Sequence, residues 1–140
     1  MQALRLSEAS FRSVVEGAPY AICRANFEGR LLQLNPALQK ILGYESADEM
    51  IRTILGSDVF QRADDFQKLI ELLRTTGEFH DVEAEWKRKD GGPITVMCSG
   101  RSLDEHHDTS PGFEVFAEDV TARRVLERQL RMAAKMEAVG

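Results

Sequence analysis

Residues 113–124 read FEVFAEDVTARR, and this stretch decides how the rest of the chain is organised. Its apolar residues Phe113, Val115 and Ala117 fall at every second position, which is the pattern of a strand with one buried face. The pattern changes at Thr121, a favourable helix N-cap, and no Gly or Pro follows before the last residue. A core strand is therefore predicted to run directly into a helix that leaves the domain. We expect the domain to sense or relay a signal that this helix carries out.

The size and composition of the chain fit one globular domain. Of its 140 residues, 43% are hydrophobic and 29% are charged, which is ordinary for a soluble protein with a single core. No apolar run approaches the roughly 20 residues that span a bilayer, and the N-terminus lacks the apolar segment of a signal peptide. We therefore expect a cytoplasmic protein.

The net charge of −5 is unevenly distributed. Residues 121–140 carry five basic and two acidic side chains, a net charge of +3, which leaves −8 on residues 1–120. An acidic body argues against nucleic-acid binding. The basic tail is compatible with a nucleic acid or a membrane surface, but a solvated helical face explains it more simply.

Periodicity and turn residues divide the chain into helices and strands. The predicted helices are 4–18, 35–43, 46–54, 63–76 and 121–140, and the predicted strands are 20–26, 31–34, 79–89, 94–101 and 113–119. Asn35 and Ser46 are the N-caps of the second and third helices, and residues 56–58 are expected to break the third. The last three strands are predicted to form an antiparallel meander, and the helices must cover one face of the sheet.

Three motifs in this order resemble those of the PAS domain, a sensor module common in bacterial signalling proteins. NPALQKILGY at 35–44 is similar to the family's helix after the second strand, and KRKDGGPI at 87–94 to its hairpin between the third and fourth strands. EDVT at 118–121 looks like the family's closing Asp-hydrophobic-Thr motif, where the sheet joins an output helix. The resemblance covers about residues 8–125.

The resemblance implies the fold and the division of the chain. The fold is α+β, a five-stranded antiparallel sheet with helices on one face, flanked by N-terminal and C-terminal helices. Residues 1–19 would be the N-terminal flanking amphipathic helix, residues 20–120 the sensor domain, and residues 121–140 the output helix.

The tail, LERQLRMAAKMEAVG at 126–140, resembles the linker that leads into the dimerisation helices of sensor histidine kinases. In those proteins the phosphate-accepting His follows shortly afterwards. The resemblance therefore implies the PAS domain of a bacterial sensor histidine kinase, cut inside its first dimerisation helix, with the kinase domain further along the same chain.

Two adjacent apolar stripes run along the tail helix. They are formed by Val125, Leu126, Leu130, Met132 and Met136, and they suit a parallel helical bundle better than a narrow coiled-coil seam. The alternative is a helix that folds back on its own domain. We expect a homodimer formed through the flanking helices, with the N-terminal helix, the tail or both in the interface.

A domain of this kind could enclose a small ligand between the sheet and the helices, and the same residues would serve equally well as plain core. The candidate lining residues are Ile22, Leu34, Ile41, Phe66, Leu69, Leu73, Val82, Val96, Cys98 and Val115. Few charged residues point towards this interior, so no carboxylate or phosphate site is predicted.

No cofactor is assigned from the sequence. Flavin-binding relatives that form a light adduct carry a Cys on a short helix, and the corresponding stretch at 44–60 has none. Haem-binding relatives place an axial His on the long helix, and residues 63–76 contain none, with His80 lying just beyond. Neither cofactor is therefore expected.

His106 and His107 in a polar loop more simply face water than bind a metal, so no metal site is expected.

Two further sets of residues have a structural and a functional interpretation. Cys23 and Cys98 each lie in a strand-like run, which indicates buried apolar residues rather than reactive thiols or ligands. Asp119, Val120 and Thr121 would start the tail helix, and by resemblance they also transmit the signal from the sheet.

No motif for catalysis is present, so no enzymatic activity is expected from the 140 residues of the chain.

Two functions of different classes remain open from the sequence. The first is a sensory or signal-relay domain of a two-component sensor histidine kinase. The second is a ligand-free module for dimerisation or partner docking. The same domain attached to another output, such as a cyclic-nucleotide enzyme or a transcription regulator, is a third possibility.

Overall fold

Five strands form one antiparallel sheet in the computed structural model, which describes residues 15–103 and 112–139. The strands are Ala21–Asn26 (β1), Leu31–Leu34 (β2), Glu78–Lys87 (β3), Pro93–Leu103 (β4) and Gly112–Asp119 (β5). Their spatial order is β2-β1-β5-β4-β3, so the strand predicted to organise the fold lies at the centre. The predicted five-stranded α+β architecture is confirmed.

The helices are Pro36–Leu42 (α1), Ala47–Met50 (α2), Ala63–Thr76 (α3) and Thr121–Val139 (α4), and Leu55–Val59 forms a π-helical turn. Residues 15–17 are helical and belong to the predicted helix 4–18, whose other residues up to 14 lie outside the described part of the chain.

The third predicted helix, 46–54, is wrong beyond Met50. Residues 56–58, expected to break it, instead belong to the π-helical turn. The Asp58 carboxylate accepts from the backbone N–H of Ile54 at 2.8 Å, which stabilises this turn locally. Gly56 permits the close approach of Phe66, because a Cβ at Gly56 would lie 2.9 Å from a ring carbon of Phe66. Long-range packing on α3 therefore decides the conformation here.

The core lies between the helices and one face of the sheet. α3 contributes its apolar stripe of Phe66, Leu69, Ile70 and Leu73, all buried, as its helical spacing requires. The sheet contributes the inward-facing side chains of β1, β4 and β5, which belong to the same buried cluster as this stripe. They face one way because alternate side chains of a strand share a face.

Asn35 connects three parts of the chain. Its side chain is fully buried, and its Oδ1 accepts from the backbone N–H groups of Ile22 at 2.9 Å and Leu38 at 3.1 Å. Its Nδ2 donates to the carbonyl oxygens of Val15 at 2.9 Å and Tyr20 at 3.0 Å. The residue predicted as the N-cap of α1 therefore also fixes the start of β1 and the segment that precedes it.

The other face of the sheet carries a buried carboxylate. Glu114 on β5 is 1% exposed and stands directly between Arg24 on β1 and Arg101 on β4 in the strand register. Its two oxygens accept from Arg24 Nε at 3.3 Å and from Arg101 Nε at 3.0 Å. The ion pairs cross both neighbouring strands and offset the cost of burying the charge.

Candidate functional site

The interior between α3, the π-helical turn and the sheet holds a small void of about 10 Å³. Twelve side chains line it: Cys23, Leu55, Phe60, Phe66, Leu69, Ile70, Leu73, Phe79, Trp86, Cys98, Phe113 and Val115. This volume barely admits a single water molecule, so the aromatic and aliphatic side chains nearly fill the interior.

The structure brings five of the ten candidate pocket residues to this void: Phe66, Leu69, Leu73, Cys98 and Val115. Val96 is buried in the same core without lining the void, and Leu34, Ile41 and Val82 are half-buried at its margins. Ile22 does not belong with them. It lies on the opposite face of β1 from Cys23 and pairs with Phe116 of β5, because successive side chains of a strand alternate.

Sequence reasoning missed seven of the lining residues. Phe79 was missed because strand alternation counted from Val82 predicts that Phe79 faces outward. Asp81 takes a positive φ of 51° at a bulge, and the register shift there turns Phe79 towards the interior. Leu55 and Phe60 belong to the π-helical turn, for which the sequence carries no periodic signal. Trp86 and Phe113 lay at predicted inward positions, and strand alternation alone was sufficient to find them.

Both cysteines face this interior as buried thiols. Burial raises the pKa of Cys23 to about 12, with smaller contributions from Cys98 and Glu114. Burial likewise raises the pKa of Cys98 to about 12. The thiol of Cys98 donates to the carbonyl of Val82 at 3.3 Å. The interior is therefore lined by neutral groups at physiological pH, and neither sulfur is available as a thiolate.

One polar atom of the interior lacks a partner. Trp86 is 2% exposed, and its Nε1–H is buried with no acceptor among the described residues. The ring packs against Phe60 at 5.7 Å between centroids. The backbone of Trp86 is held at the same time, since its carbonyl accepts from Gln61 Nε2 at 3.2 Å.

The junction between β5 and α4 is a second candidate site, and it is tightly bonded. Val120 is 1% exposed, and its N–H donates to the carbonyl of Thr95 on β4 at 2.9 Å. The Thr121 hydroxyl accepts from the N–H of Thr95 at 2.9 Å and donates to its carbonyl at 3.4 Å. The strand and the helix therefore meet without a loop between them.

The expectation that Thr121 is the N-cap is wrong. Thr121 is the first residue of α4, and its hydroxyl bonds to β4 rather than to the N–H groups of its own helix. Val120 takes the cap position, because its carbonyl accepts from the N–H of Arg124 at 2.9 Å. Asp119 supplies the side-chain cap, with Oδ1 accepting from the N–H of Thr121 at 3.0 Å.

Two arginines connect this junction to the hairpin of β3 and β4. Arg124 on α4 donates through Nε to Glu83 on β3 at 2.5 Å and through Nη1 to Glu127 at 3.0 Å. The bond with Glu83 raises the pKa of the Arg124 guanidinium further. Arg88 lies 4.0 Å from Asp119. The first turn of α4 is thus oriented by charges on the sheet edge.

Beyond its first turn, α4 projects from the domain with its apolar residues in solvent. The exposed side chains are Val125, Leu126, Leu130, Met132 and Met136, the last at 72%. Nineteen residues of helix extend over about 28 Å. This face has no partner within the described residues of the chain.

His80 lies on β3 with most of its side chain exposed, 3.2 Å from Glu78, and does not line the void. His106 and His107 fall outside the described residues. Across residues 15–103 and 112–139, no cluster of three or more His, Cys, Asp or Glu side chains suits a metal ion. In the same ranges, no helix has the length and apolar character needed to cross a bilayer.

The profile of the PAS domain family matches residues 18–122. The sensor histidine kinase TmoS of Ectopseudomonas mendocina is 27% identical over 129 residues, which are 91% of this chain and 13% of that protein. The chain therefore spans only a small part of this relative.

Among solved structures, a domain of a sensory box sensor histidine kinase/response regulator from Geobacter sulfurreducens superposes with a TM-score of 0.69 at 21% identity, covering 83% of this chain and 96% of that one. The PAS domain of a LuxR-family transcriptional regulator from Burkholderia thailandensis, in complex with ethanol, gives 0.62 at 19% identity, with 79% and 96% covered. At these identities the likeness shows a shared fold.

Proposed function

This chain belongs to the PAS domain family, and from that premise we propose that it is a sensory or signal-relay domain of a two-component sensor histidine kinase. The observation that carries the proposal is the bonding of Thr121 to Thr95, by which the first residue of α4 is fixed to the middle of the sheet. The relationship to sensor histidine kinases supports the kinase context.

The relay would work through rigid coupling. A signal that shifts the sheet moves β4 and β5 together, since they are paired from Val96 to Leu103. Thr95, Val120 and Thr121 then pass this change to α4 with no flexible segment between them. A stimulus drives the change only if it stabilises one arrangement of the domain over the other.

We further propose that α4 pairs in parallel with the same helix of a second copy. Its exposed stripe of Leu126, Leu130, Met132 and Met136 continues along most of the helix. Helices gain most of their stability by packing an amphipathic face. Beyond its first turn, α4 finds no surface for its apolar face in the described part of this chain. A rotation or shift of the pair would reposition a kinase domain that follows.

An experiment on the chain itself tests the relay. Arg131 lies opposite the apolar stripe, so a spin label on Arg131→Cys reports the distance between two α4 helices without entering their interface. Thr121→Val is expected to change or broaden the distance distribution, and Thr121→Ser, which keeps the hydroxyl, is expected to preserve it. An identical distribution in all three proteins would contradict the relay. A phosphorylatable His and a kinase domain after residue 140 of the parent sequence would support the kinase context.

A second function is favoured by one specific observation. The void of about 10 Å³ is nearly filled, which suits a ligand-free module for dimerisation or docking. The neighbour from Burkholderia thailandensis, described with ethanol and belonging to a transcriptional regulator, supports instead a small ligand and a different output. Mass spectrometry under native conditions separates the sensory domain from the ligand-free module. A stoichiometric bound molecule favours sensing.

A further inference from the structure

We propose that the groove between α3 and the free edge of β3 docks an extended segment of a partner protein, with alternating basic and apolar residues, as an added antiparallel strand. Three features support this docking: unpaired backbone groups at the sheet edge, an apolar floor and an excess of negative charge. The groove is separate from the interior void and from the apolar stripe of α4, so the docked segment would be a partner beyond those of the proposed relay.

The edge of β3 already accepts a short piece of extended chain. β3 is the last strand of the sheet, with β4 on one side only. Phe60 forms an antiparallel bridge with Trp86 on the other side. The N–H of Gln61 then donates to the carbonyl of Glu85 at 3.0 Å, after which the chain turns into α3 and the pairing ends.

The next free position on this edge is Glu83. Backbone groups of successive strand residues point to opposite sides, so those of Glu83 face away from β4, as those of Glu85 do. No described residue bonds to the N–H or the carbonyl of Glu83 across the open edge. An added strand would therefore pair with Glu83 through both groups.

The floor of the groove is apolar. Leu69 and Leu72 line it from α3, and Val82 and Ala84 line it from β3, in an open space of about 370 Å³. Leu72 is 39% exposed, whereas Leu69 and Leu73 on the same helix are buried. Every second side chain of an added strand would cover these residues, because neighbouring strands share their faces.

The charges at the groove favour a basic partner. Its eight lining residues include three acids and one base: Asp65, Glu83, Glu85 and Lys68. Residues directly opposite each other on neighbouring strands share a face, so Lys or Arg should stand opposite Glu83 and Glu85, with an apolar residue opposite Ala84. The β3 strand of a second copy would instead place like charges opposite one another, which is destabilising.

The Glu83 carboxylate also bonds to Arg124 of α4. A docked cation would share this carboxylate with the first turn of the helix. Docking at the sheet edge would therefore act on the junction that the proposed relay uses.

The peptide Arg-Val-Arg-Val-Arg-Val-Arg, with blocked ends, is the probe. At saturation it should slow hydrogen exchange at the amides of Glu83 and Glu85 by at least about tenfold. The amides of Val82 and Ala84 point towards β4 and should change by less than about twofold. This alternation distinguishes strand addition from attachment through side chains.

Two N-methylated forms of the peptide separate backbone pairing from charge attraction. Methyl groups on the Arg amides block the bonds to Glu83 and should weaken binding by at least about tenfold. Methyl groups on the Val amides lie on the outer side of the added strand and should weaken it by less than about threefold. A peptide with Glu in place of each Arg should not bind at low salt.

Variants of the chain test the groove itself. Leu72→Ser removes an exposed part of the floor and should weaken binding by about threefold to tenfold. Leu32→Ser is the matched control, because Leu32 is equally exposed on β2 at the opposite edge of the sheet, and it should leave binding unchanged. Lys68→Glu makes the groove more acidic and should strengthen binding by about threefold at low salt. A misfolded chain would not show this gain.

Equal binding of the two methylated peptides, equal losses from Leu72→Ser and Leu32→Ser, or no binding of the basic peptide at low salt would overturn the proposal. Protection of the Glu83 amide that rises with chain concentration in the absence of peptide would place a second copy in the groove and overturn it as well. The spin-label distances between α4 helices are measured without peptide, so the docking site and the relay can fail separately.

Discussion

Thr95 and Thr121 form a reciprocal pair at the boundary between the sheet and the outgoing helix. The Thr95 N–H donates to Thr121 Oγ1 at 2.9 Å, and the Thr121 hydroxyl donates to the Thr95 carbonyl at 3.4 Å. Because that carbonyl also accepts from Val120, one residue of β4 fixes both the last residue before α4 and the first within it.

Thr121→Val should destabilise the domain while keeping the shape of the side chain. It leaves the N–H of Thr95, a buried residue, unpaired, which should lower the free energy of unfolding by about 1–3 kcal/mol. Urea denaturation measures the loss, and faster hydrogen exchange at the Thr95 amide locates it. Thr121→Ser is the matched control and should lose less than half as much. Equal losses would show that packing, rather than the hydroxyl, holds the junction.

The Glu83 and Arg124 pair should be energetically coupled. Glu83→Gln and Arg124→Gln, alone and together, form a double-mutant cycle for which we expect a coupling of about 0.2–1 kcal/mol at low salt. The coupling should fall as salt is added, since both groups are partly exposed. A coupling of zero at low ionic strength would mean that the pair does not orient α4.

Asn35→Asp should be far more damaging than its chemistry suggests. The carboxylate keeps the acceptor for Ile22 and Leu38 but faces the carbonyls of Val15 and Tyr20, to which Asn35 donates. We expect a loss of about 2–4 kcal/mol in the free energy of unfolding, because both carbonyls lose the Asn35 donor and face a buried, uncompensated charge.

The control for Asn35 is the exposed cap of α2. Ser46 accepts only from the N–H of Glu49, at 3.1 Å, so Ser46→Asp should change stability by less than about 0.5 kcal/mol. Thermal or urea unfolding of the two variants compares the caps directly. Similar losses of stability at both sites would mean that Asn35 contributes no more than an ordinary N-cap.

Alkaline pH should destabilise the domain through its two thiols. In the unfolded chain a Cys loses its proton with a pKa near 9.0, whereas burial raises the pKa of Cys23 and of Cys98 to about 12. The folded state therefore binds more protons within this window, and the stability falls as pH rises from about 9 to 12. Below pH 9 the thiol contribution is constant.

Each thiol should contribute a slope of about 1.4 kcal/mol per pH unit within that window. Urea midpoints measured from pH 8 to 11 should show the decline, and Cys98→Ala should reduce its slope by about one thiol's share. Partial burial also raises the pKa of Tyr44 above 10.0, so Tyr44→Phe separates its contribution. A pH-independent stability over this range would contradict the buried, neutral thiols.

Met136→Cys should form a disulfide between two copies of the chain. Met136 belongs to the exposed stripe of α4, and the native cysteines do not compete because they are buried. Arg131→Cys, on the opposite side of the helix, should cross-link at least about tenfold more slowly if the helices pair as a parallel bundle. Equal rates, or a monomer by sedimentation at high concentration, would contradict the pairing.

Much of the fold was predictable because local signals agree with it. Asn35, Pro36 and Gly43 mark α1, and the start and end of α3 fall at the predicted residues 63 and 76. Strand alternation placed Phe113, Val115 and Ala117 on the core side of β5, where they lie buried. Caps, breakers and periodicity act over a few residues, so they can be recognised from the sequence.

The sites were less predictable because they depend on contacts between distant residues. The π-helical turn forms against Phe66, and the bulge at Asp81 changes which residues of β3 face inward. The partner of the Thr121 hydroxyl lies 26 residues away on β4, so the sequence suggested a helix cap in its place.

The sequence by itself therefore determined the order of strands and helices along the chain, since this follows from hydrophobic period and turn chemistry, and its three motifs indicated the sheet of the PAS family by resemblance. Only the tertiary structure decided that Trp86 keeps an unpaired donor, that Asn35 serves three segments, and that Asp119 rather than Thr121 caps α4. The physical reason is that hydrogen-bond partners in a folded core are chosen by spatial proximity, which the spacing of residues along the chain does not encode.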